Sequence, residues 1–151
     1  MKASELFRKI KKDLETISEY ISHVERKLQD DDDIRSKSSI MARYNYDNLV
    51  EILRRNDIGP DYEIDDDRLA DFQFRIGHYL DTYAPGESDL KSYITGISTY
   101  LAFIAKRPLH PMGLESGDGP LIVKNGDSYY CSGKRRFIND EQSLCKFCVC
   151  K

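Results

Sequence analysis

Through its first 107 residues the chain returns an apolar side chain three or four positions after the last, and beyond Arg107 it stops doing so. That change of period constrains the fold more than any other feature. A spacing near 3.6 buries one stripe of a helix, and a chain that repeats it is left with helix-on-helix packing. Leu6, Ile10, Leu14, Ile17, Ile21, Val24 and Leu28 predict one amphipathic helix with Ser4 as its N-cap. The acidic run Asp30 to Asp33 breaks the pattern, and its carboxylates suit the positive end of a second helix over Ile34 to Arg55. That helix turns Met41, Tyr44, Leu49, Val50 and Leu53 inward and stops near Asn56, ahead of Gly59-Pro60. A third carries Leu69, Phe72, Ile76, Tyr79, Leu80 and Tyr83 on its inner face and closes at Ala84-Pro85-Gly86. Ser88 caps a fourth, bearing Leu90, Tyr93, Ile94, Ile97, Leu101 and Ile104, which ends before Pro108 because proline disfavours helical geometry in its predecessor. The expected fold is mainly α: a bundle of about four helices over residues 1–107, with a small β-hairpin and knuckle over 108–151 packed on it.

At 151 residues the whole chain fits one domain, long enough to bury about two thirds of its unfolded surface. In the last part, Leu121-Ile122-Val123 and Ser128-Tyr129-Tyr130 flank Asn125-Gly126, a dipeptide suited to a tight turn with positive φ at both central residues. The hairpin so formed delivers Cys131 at its far end, and the stretch from Asn139 to Cys150 reads as a short helix or a metal-bound turn.

All four cysteines lie in the last 21 residues. In a reducing compartment such clustering points to metal ligation or thiol chemistry more than to disulfides. Cys145-Lys146-Phe147-Cys148 is a C-x-x-C pair, a spacing that brings two thiolates to one tetrahedral ion without straining the chain. Cys131 at the hairpin end and His110, stiffened between Pro108 and Pro111, complete a Cys3His set for zinc. Cys150 is left outside it, because Cys148 and Cys150 would reach one ion only through a tighter local turn. The alternatives are an iron–sulfur cluster on four cysteines, with Cys150 in place of His110, and a redox C-x-x-C, although no βαβ unit accompanies it. His23 and His78 fall inside predicted helices with no cysteine nearby and read as ordinary helix residues. An EF-hand reading of Asp30 to Asp33 fails for want of alternating oxygen ligands, a central glycine and a closing glutamate.

The net charge of −3 provides no global drive toward nucleic acid. Lys134-Arg135-Arg136, between Cys131 and Cys145, offers a local phosphate contact, set against the plainer reading of a solvated loop. The ten tyrosines read mostly as the edges of amphipathic core faces. The N-terminal segment begins with lysines but runs on through Asp13, Glu15 and Glu19, with no uninterrupted apolar region and no small-residue cleavage site. No apolar run reaches the ~20 residues of a membrane span, so the expectation is a cytoplasmic protein without membrane contact. No nucleophile elbow, phosphate-binding glycine loop or metalloprotease helix motif is present.

Residues Phe103 to Gly113, Gly126 to Cys131 and Leu144 to Cys148 resemble the C-terminal signature of an uncharacterised family of methanogenic archaea, the domain of unknown function 2115. The resemblance covers roughly the last 50 residues at motif level, with a general likeness over the helical body. It implies a His-Pro, a single cysteine after paired aromatics and a C-x-x-C at the positions of His110, Cys131, Cys145 and Cys148. The chain departs from that pattern at Leu114 to Gly119 and at Ser132, both between the ligands. The resemblance implies an archaeal cytoplasmic protein and supplies no activity. The functional expectation is therefore a binding or regulatory module whose structural zinc has four protein ligands, with a protein or nucleic-acid partner. The competing expectation is a metal-dependent enzyme that keeps one coordination position open.

Overall fold

The computed structural model describes residues 1–116 and 119–151; of the Leu114 to Gly119 stretch, Gly117 and Asp118 lie outside the described residues. The long elements are α1 (Ala3–Glu15), α2 (Ser18–Gln29), α3 (Lys37–Arg54), α4 (Asp66–Tyr83) and α5 (Ser88–Thr99). A π-helical turn, Tyr100–Ala105, carries α5 onward. The C-terminal part holds β1 (Glu115–Ser116), β2 (Gly119–Pro120), β3 (Ile122–Asn125), β4 (Ser128–Cys131), α6 (Ser132–Phe137) and a 3-10 turn, Cys145–Phe147.

The expected first helix is two. Its apolar stripe is as predicted, with Leu6, Ile10, Leu14, Ile17 and Leu28 buried, but the backbone breaks at Thr16-Ile17. The Thr16 hydroxyl donates to the carbonyl of Asp13 at 2.6 Å, and its amide bonds the same oxygen at 3.3 Å. A hydroxyl that takes a last-turn carbonyl ends the helical ladder there. The capping residues also differ from expectation. Lys2 stands at the N-cap of α1, while Ser4 donates from its hydroxyl to Asp61 at 2.6 Å. Ser36 caps α3, its side chain accepting from the amide of Ser39, and Asp31 accepts from the Ser39 hydroxyl within that first turn. Glu87, not Ser88, precedes α5, with no side-chain cap bond.

α5 is the hub: it lies against α1, α3 and α4, while α2 lies against α3. Gly96 permits the closest approach, since a Cβ there would meet the Leu14 side chain at 3.1 Å. The π turn that follows buries Tyr100, Leu101, Ala102, Phe103 and Ile104 in succession. Lys106, at φ 53°, ends it in the left-handed region, and Arg107 then pairs with Glu51. On α4 the predicted inner face is only partly inside. Phe72 and Ile76 are buried, whereas Tyr79 and Tyr83 are 55% and 71% exposed and pack on each other with ring centroids 4.7 Å apart.

The hairpin pairs Ile122 with Cys131, Val123 with Tyr130, Lys124 with Tyr129 and Asn125 with Ser128. The turn is therefore Gly126-Asp127, one residue later than predicted. Only its first central residue takes positive φ, Gly126 at 62°, the pattern of a II′ turn. The Lys134-Arg135-Arg136 run lies in α6 rather than in a loop. Leu109 and Phe147 belong to the same buried cluster as the helical core, so the part after Arg107 shares that core.

Candidate metal centre

His110 sits in a tethered loop. The Tyr44 hydroxyl donates to the carbonyl of Pro108 at 2.5 Å, and the amide of Leu109 donates to the Cys148 sulfur at 3.5 Å. Pro108, Leu109 and Pro111 are buried, while the imidazole retains an open edge to solvent. Surrounding protein nevertheless lowers its pKa by desolvation, an effect that the open edge moderates. Cys131 is buried at the end of β4, and its amide donates to the carbonyl of Lys151 at 3.3 Å. The amide of Lys151 in turn donates to Tyr129 at 2.8 Å, which lays the C-terminal tail beside the hairpin.

The C-x-x-C pair straddles the 3-10 turn. The Ser143 hydroxyl accepts from the Cys145 amide at 3.0 Å, and the Cys148 amide returns to the Cys145 carbonyl at 3.2 Å. Between the two sulfurs, Lys146 donates to Asp71 at 2.5 Å and Phe147 packs its ring on Phe72 at 5.2 Å. Arg68 donates to the carbonyl of Lys146 at 3.1 Å and Arg75 to that of Ser143 at 3.0 Å, so α4 holds the turn from three side chains. Lys134 clamps the tail, donating to the carbonyls of Cys148 and Cys150 at 2.7 and 2.5 Å. Of the three cations singled out for phosphate contact, Lys134 is thus bound within the protein, while Arg135 and Arg136 are exposed on α6.

His110, Cys131, Cys145 and Cys148 all line one cavity of about 580 Å³ between the bundle and the C-terminal part. Its other walls are mostly apolar, among them Ile76, Leu80, Leu109 and Ile122, with Tyr79, Tyr83 and Phe137 toward the outside. All four cysteines are free thiols. Among the described residues, no group of three or more His, Cys, Asp or Glu side chains is arranged to hold a metal ion. The structure thus brings the four candidate ligands to one cavity without closing them into a polyhedron.

The sequence pattern placed Cys150 outside the Cys3His set, as the alternative to His110. It is 2% exposed and packs with Ile122, Cys131 and Cys148. Burial first, then Cys148 and Cys131, push its thiol pKa up, so it rests protonated among sulfurs. The chain bends at Cys148 and Val149, and Cys150 then packs against Ile122 and Cys131. Phe147 was passed over, being hidden inside the C-x-x-C. His23 and His78 are exposed helix residues, His78 stacked on Phe74.

Fold and site together define a small helical protein whose C-terminal hairpin and tail gather a cluster of thiols against the core. The chain belongs to the family described as uncharacterized protein conserved in archaea, DUF2115, whose family model matches residues 2–151. It is 37% identical to a UPF0305 protein of Methanocaldococcus jannaschii over 100% of this chain and 96% of that protein. A UPF0305 protein of Methanococcus maripaludis strain C7 is 32% identical over 60% of this chain and 55% of its own. One from Methanothermobacter thermautotrophicus is 40% identical over 35% of this chain and 32% of its own. No solved structure matches the chain at a significant level. Among the described residues, no helix is long and apolar enough to cross a membrane.

Proposed function

We propose that residues 108–151 form a zinc-binding unit whose Cys3His site, His110, Cys131, Cys145 and Cys148, is structural and fixes a binding or regulatory module onto the helical bundle. The observation that carries this reading is the convergence of those four side chains on one cavity, from a loop, a strand end and a 3-10 turn far apart in sequence. Soft thiolates with one imidazole suit zinc better than hard-oxygen metals, and four protein ligands leave no place for a substrate. A reducing cytoplasm fits four free thiols. The partner contact assigned to this module is the exposed pair Arg135 and Arg136, which suits a phosphate backbone or an acidic protein surface.

Metal analysis of the purified protein tests this. About one zinc per chain is expected, lost in the Cys145→Ser/Cys148→Ser double variant; full zinc content in that variant defeats the reading. A second reading has its own support, because Cys150 touches Cys148 and lies beside Cys131. In it Cys150 replaces His110 and the site has four sulfurs, the composition that an iron–sulfur cluster also uses. His110→Ala and Cys150→Ser separate the two: the first abolishes binding in the Cys3His site, the second in the four-cysteine site. Visible absorption in anaerobically purified protein marks the iron–sulfur form.

A further inference from the structure

Cys150 is the one thiol that the Cys3His set leaves unused, and it is buried, at 2% exposed. A buried thiol can serve as a small hydrophobe and nothing more. Its neighbours give this one chemistry. It shares a small cluster with Ile122 and Cys131, and Cys148 packs against the same cluster. The Lys134 ammonium donates to the carbonyls of both Cys148 and Cys150, at 2.7 and 2.5 Å, so a single group fixes the backbone on either side of Val149. The amide of Lys151 adds a bond to the carbonyl of Tyr129 at 2.8 Å. Two free thiols two residues apart are thereby kept in one packed cluster.

Access distinguishes the sulfurs. Cys148 is half-buried and lines the cavity of about 580 Å³, whereas Cys150 is not part of that wall. The amide of Leu109 donates to the Cys148 sulfur at 3.5 Å and holds it beside the His110 loop. Cys131 lines the cavity as well but is buried. Cys145 is the other accessible thiol and lies outside the cluster, its amide bound to Ser143. Phe147, between Cys145 and Cys148, is anchored on Phe72. A small oxidant in the cavity therefore meets Cys148 with a second thiol packed behind it, and Cys145 without one.

We propose that Cys148 and Cys150 form a reversible disulfide when a peroxide enters the cavity, and that this bond withdraws Cys148 from the metal set and releases the zinc. The release rests on the zinc reading above; the disulfide does not. In the first step the Cys148 sulfur attacks the peroxide, an S–O bond forms, the O–O bond breaks and water leaves, giving the sulfenic acid. In the second the Cys150 sulfur attacks that of Cys148. The S–S bond forms, the S–O bond breaks, and the hydroxyl leaves as water with the Cys150 thiol proton. Two electrons pass from the sulfurs to the peroxide, and a dithiol returns them by exchange.

Hydrogen peroxide treatment of the full chain, both zinc-loaded and chelated, tests this by alkylation in urea, trypsin cleavage and mass mapping. Cleavage after Lys146 leaves Phe147 to Lys151 as one peptide that carries Cys148 and Cys150 and excludes Cys131 and Cys145. Before oxidation both of its thiols are expected to be alkylated. After oxidation neither is expected to react, the peptide is lighter by two hydrogens, and dithiothreitol restores both thiols. In the zinc-loaded chain, zinc is expected to reach a chromogenic chelator in step with the disulfide. Cys150→Ser is expected to leave Cys148 unprotected, so that further peroxide carries it to sulfinic acid and dithiothreitol no longer recovers zinc binding. Cys150→Ala guards against a packing defect of the buried serine, and mapping of the parent needs neither variant. A peptide still fully alkylated after peroxide, or one cross-linked to Cys131 or Cys145, overturns the proposal. Disulfide formation with zinc retained overturns the release. A chain that holds no zinc defeats the zinc reading instead, and mapping of the same peptide still decides the disulfide.

Discussion

Phe147 is 3% exposed and meets the rings of Phe72 and Phe103 at 5.2 and 6.5 Å. The guanidiniums of Arg68 and Arg75 flank it at 5.1 and 5.6 Å from the ring centre. It is the residue through which the C-x-x-C turn enters the helical core. Truncation there removes a whole ring from a packed interior and leaves a cavity lined by two others. Phe147→Ala is expected to cost about 3–5 kcal/mol, read as a lower urea midpoint of the whole chain. Phe147→Leu, which keeps most of the volume, is expected to cost less than about 1.5 kcal/mol. Equal midpoints for Phe147→Ala and the parent would mean that the turn is peripheral.

The hairpin of β3 and β4 depends on Gly126, whose φ of 62° lies where a Cβ is strained although nothing stands within 4 Å of that position. Gly126→Ala is therefore expected to destabilise by about 1–3 kcal/mol through backbone conformation alone, and Gly126→Asn by as much, because the first central position of a II′ turn lies outside the left-handed helical region that Asn tolerates. Thermal melts of both variants check this, and an Ala variant as stable as the parent would contradict the turn assignment. At this scale most of the fold was legible in the sequence. Apolar residues recurring at helical spacing gave α1, α3, α4 and α5, because one buried stripe is what such spacing encodes. What was hidden has physical reasons. The break at Thr16 is made by a hydroxyl and leaves the apolar period intact. Tyr79 and Tyr83 keep that period while lying outside, since a phenol tolerates either side of a boundary. α6 is short and highly charged, with no buried residue to announce it. In the candidate site, residue type and spacing singled out the C-x-x-C, His110 and Cys131, which the structure places along one cavity. The Lys134 clamp and the Asp71–Lys146 pair were not, because they join residues 14 and 75 positions apart.

Across the whole molecule, α4 and the C-terminal part are also tied by charge. Lys146 first, and then Arg75, hold the Asp71 carboxyl below its ordinary 3.8. A carboxyl lowered in the folded state contributes stability above its unfolded pKa, and that contribution disappears as pH falls through the lower folded value. Lys2 lowers Glu63 in the same sense, and Ser4 lowers Asp61. The urea midpoint is thus expected to decline below about pH 5 through these carboxyls, after a shallower loss that begins near pH 6.5, where the unfolded chain protonates His110 ahead of the folded one. Asp71→Asn is expected to be less stable than the parent at neutral pH and to decline less steeply in acid. A parent profile that stays flat to pH 2.5 would remove these carboxyls from the stability of the fold. The tail adds a last consequence. Cys145 and Cys148 share one turn with Phe147, so whatever an ion at those sulfurs contributes to the packing of the ring, the packing contributes equally to the affinity for the ion. Such reciprocity would allow any ion held at those sulfurs to be tuned from a distance. Phe72→Leu touches no ligand, yet by loosening the aromatic cluster it should raise the dissociation constant of any ion held there, and bound ion should sharpen the signals of Phe72 and Phe103.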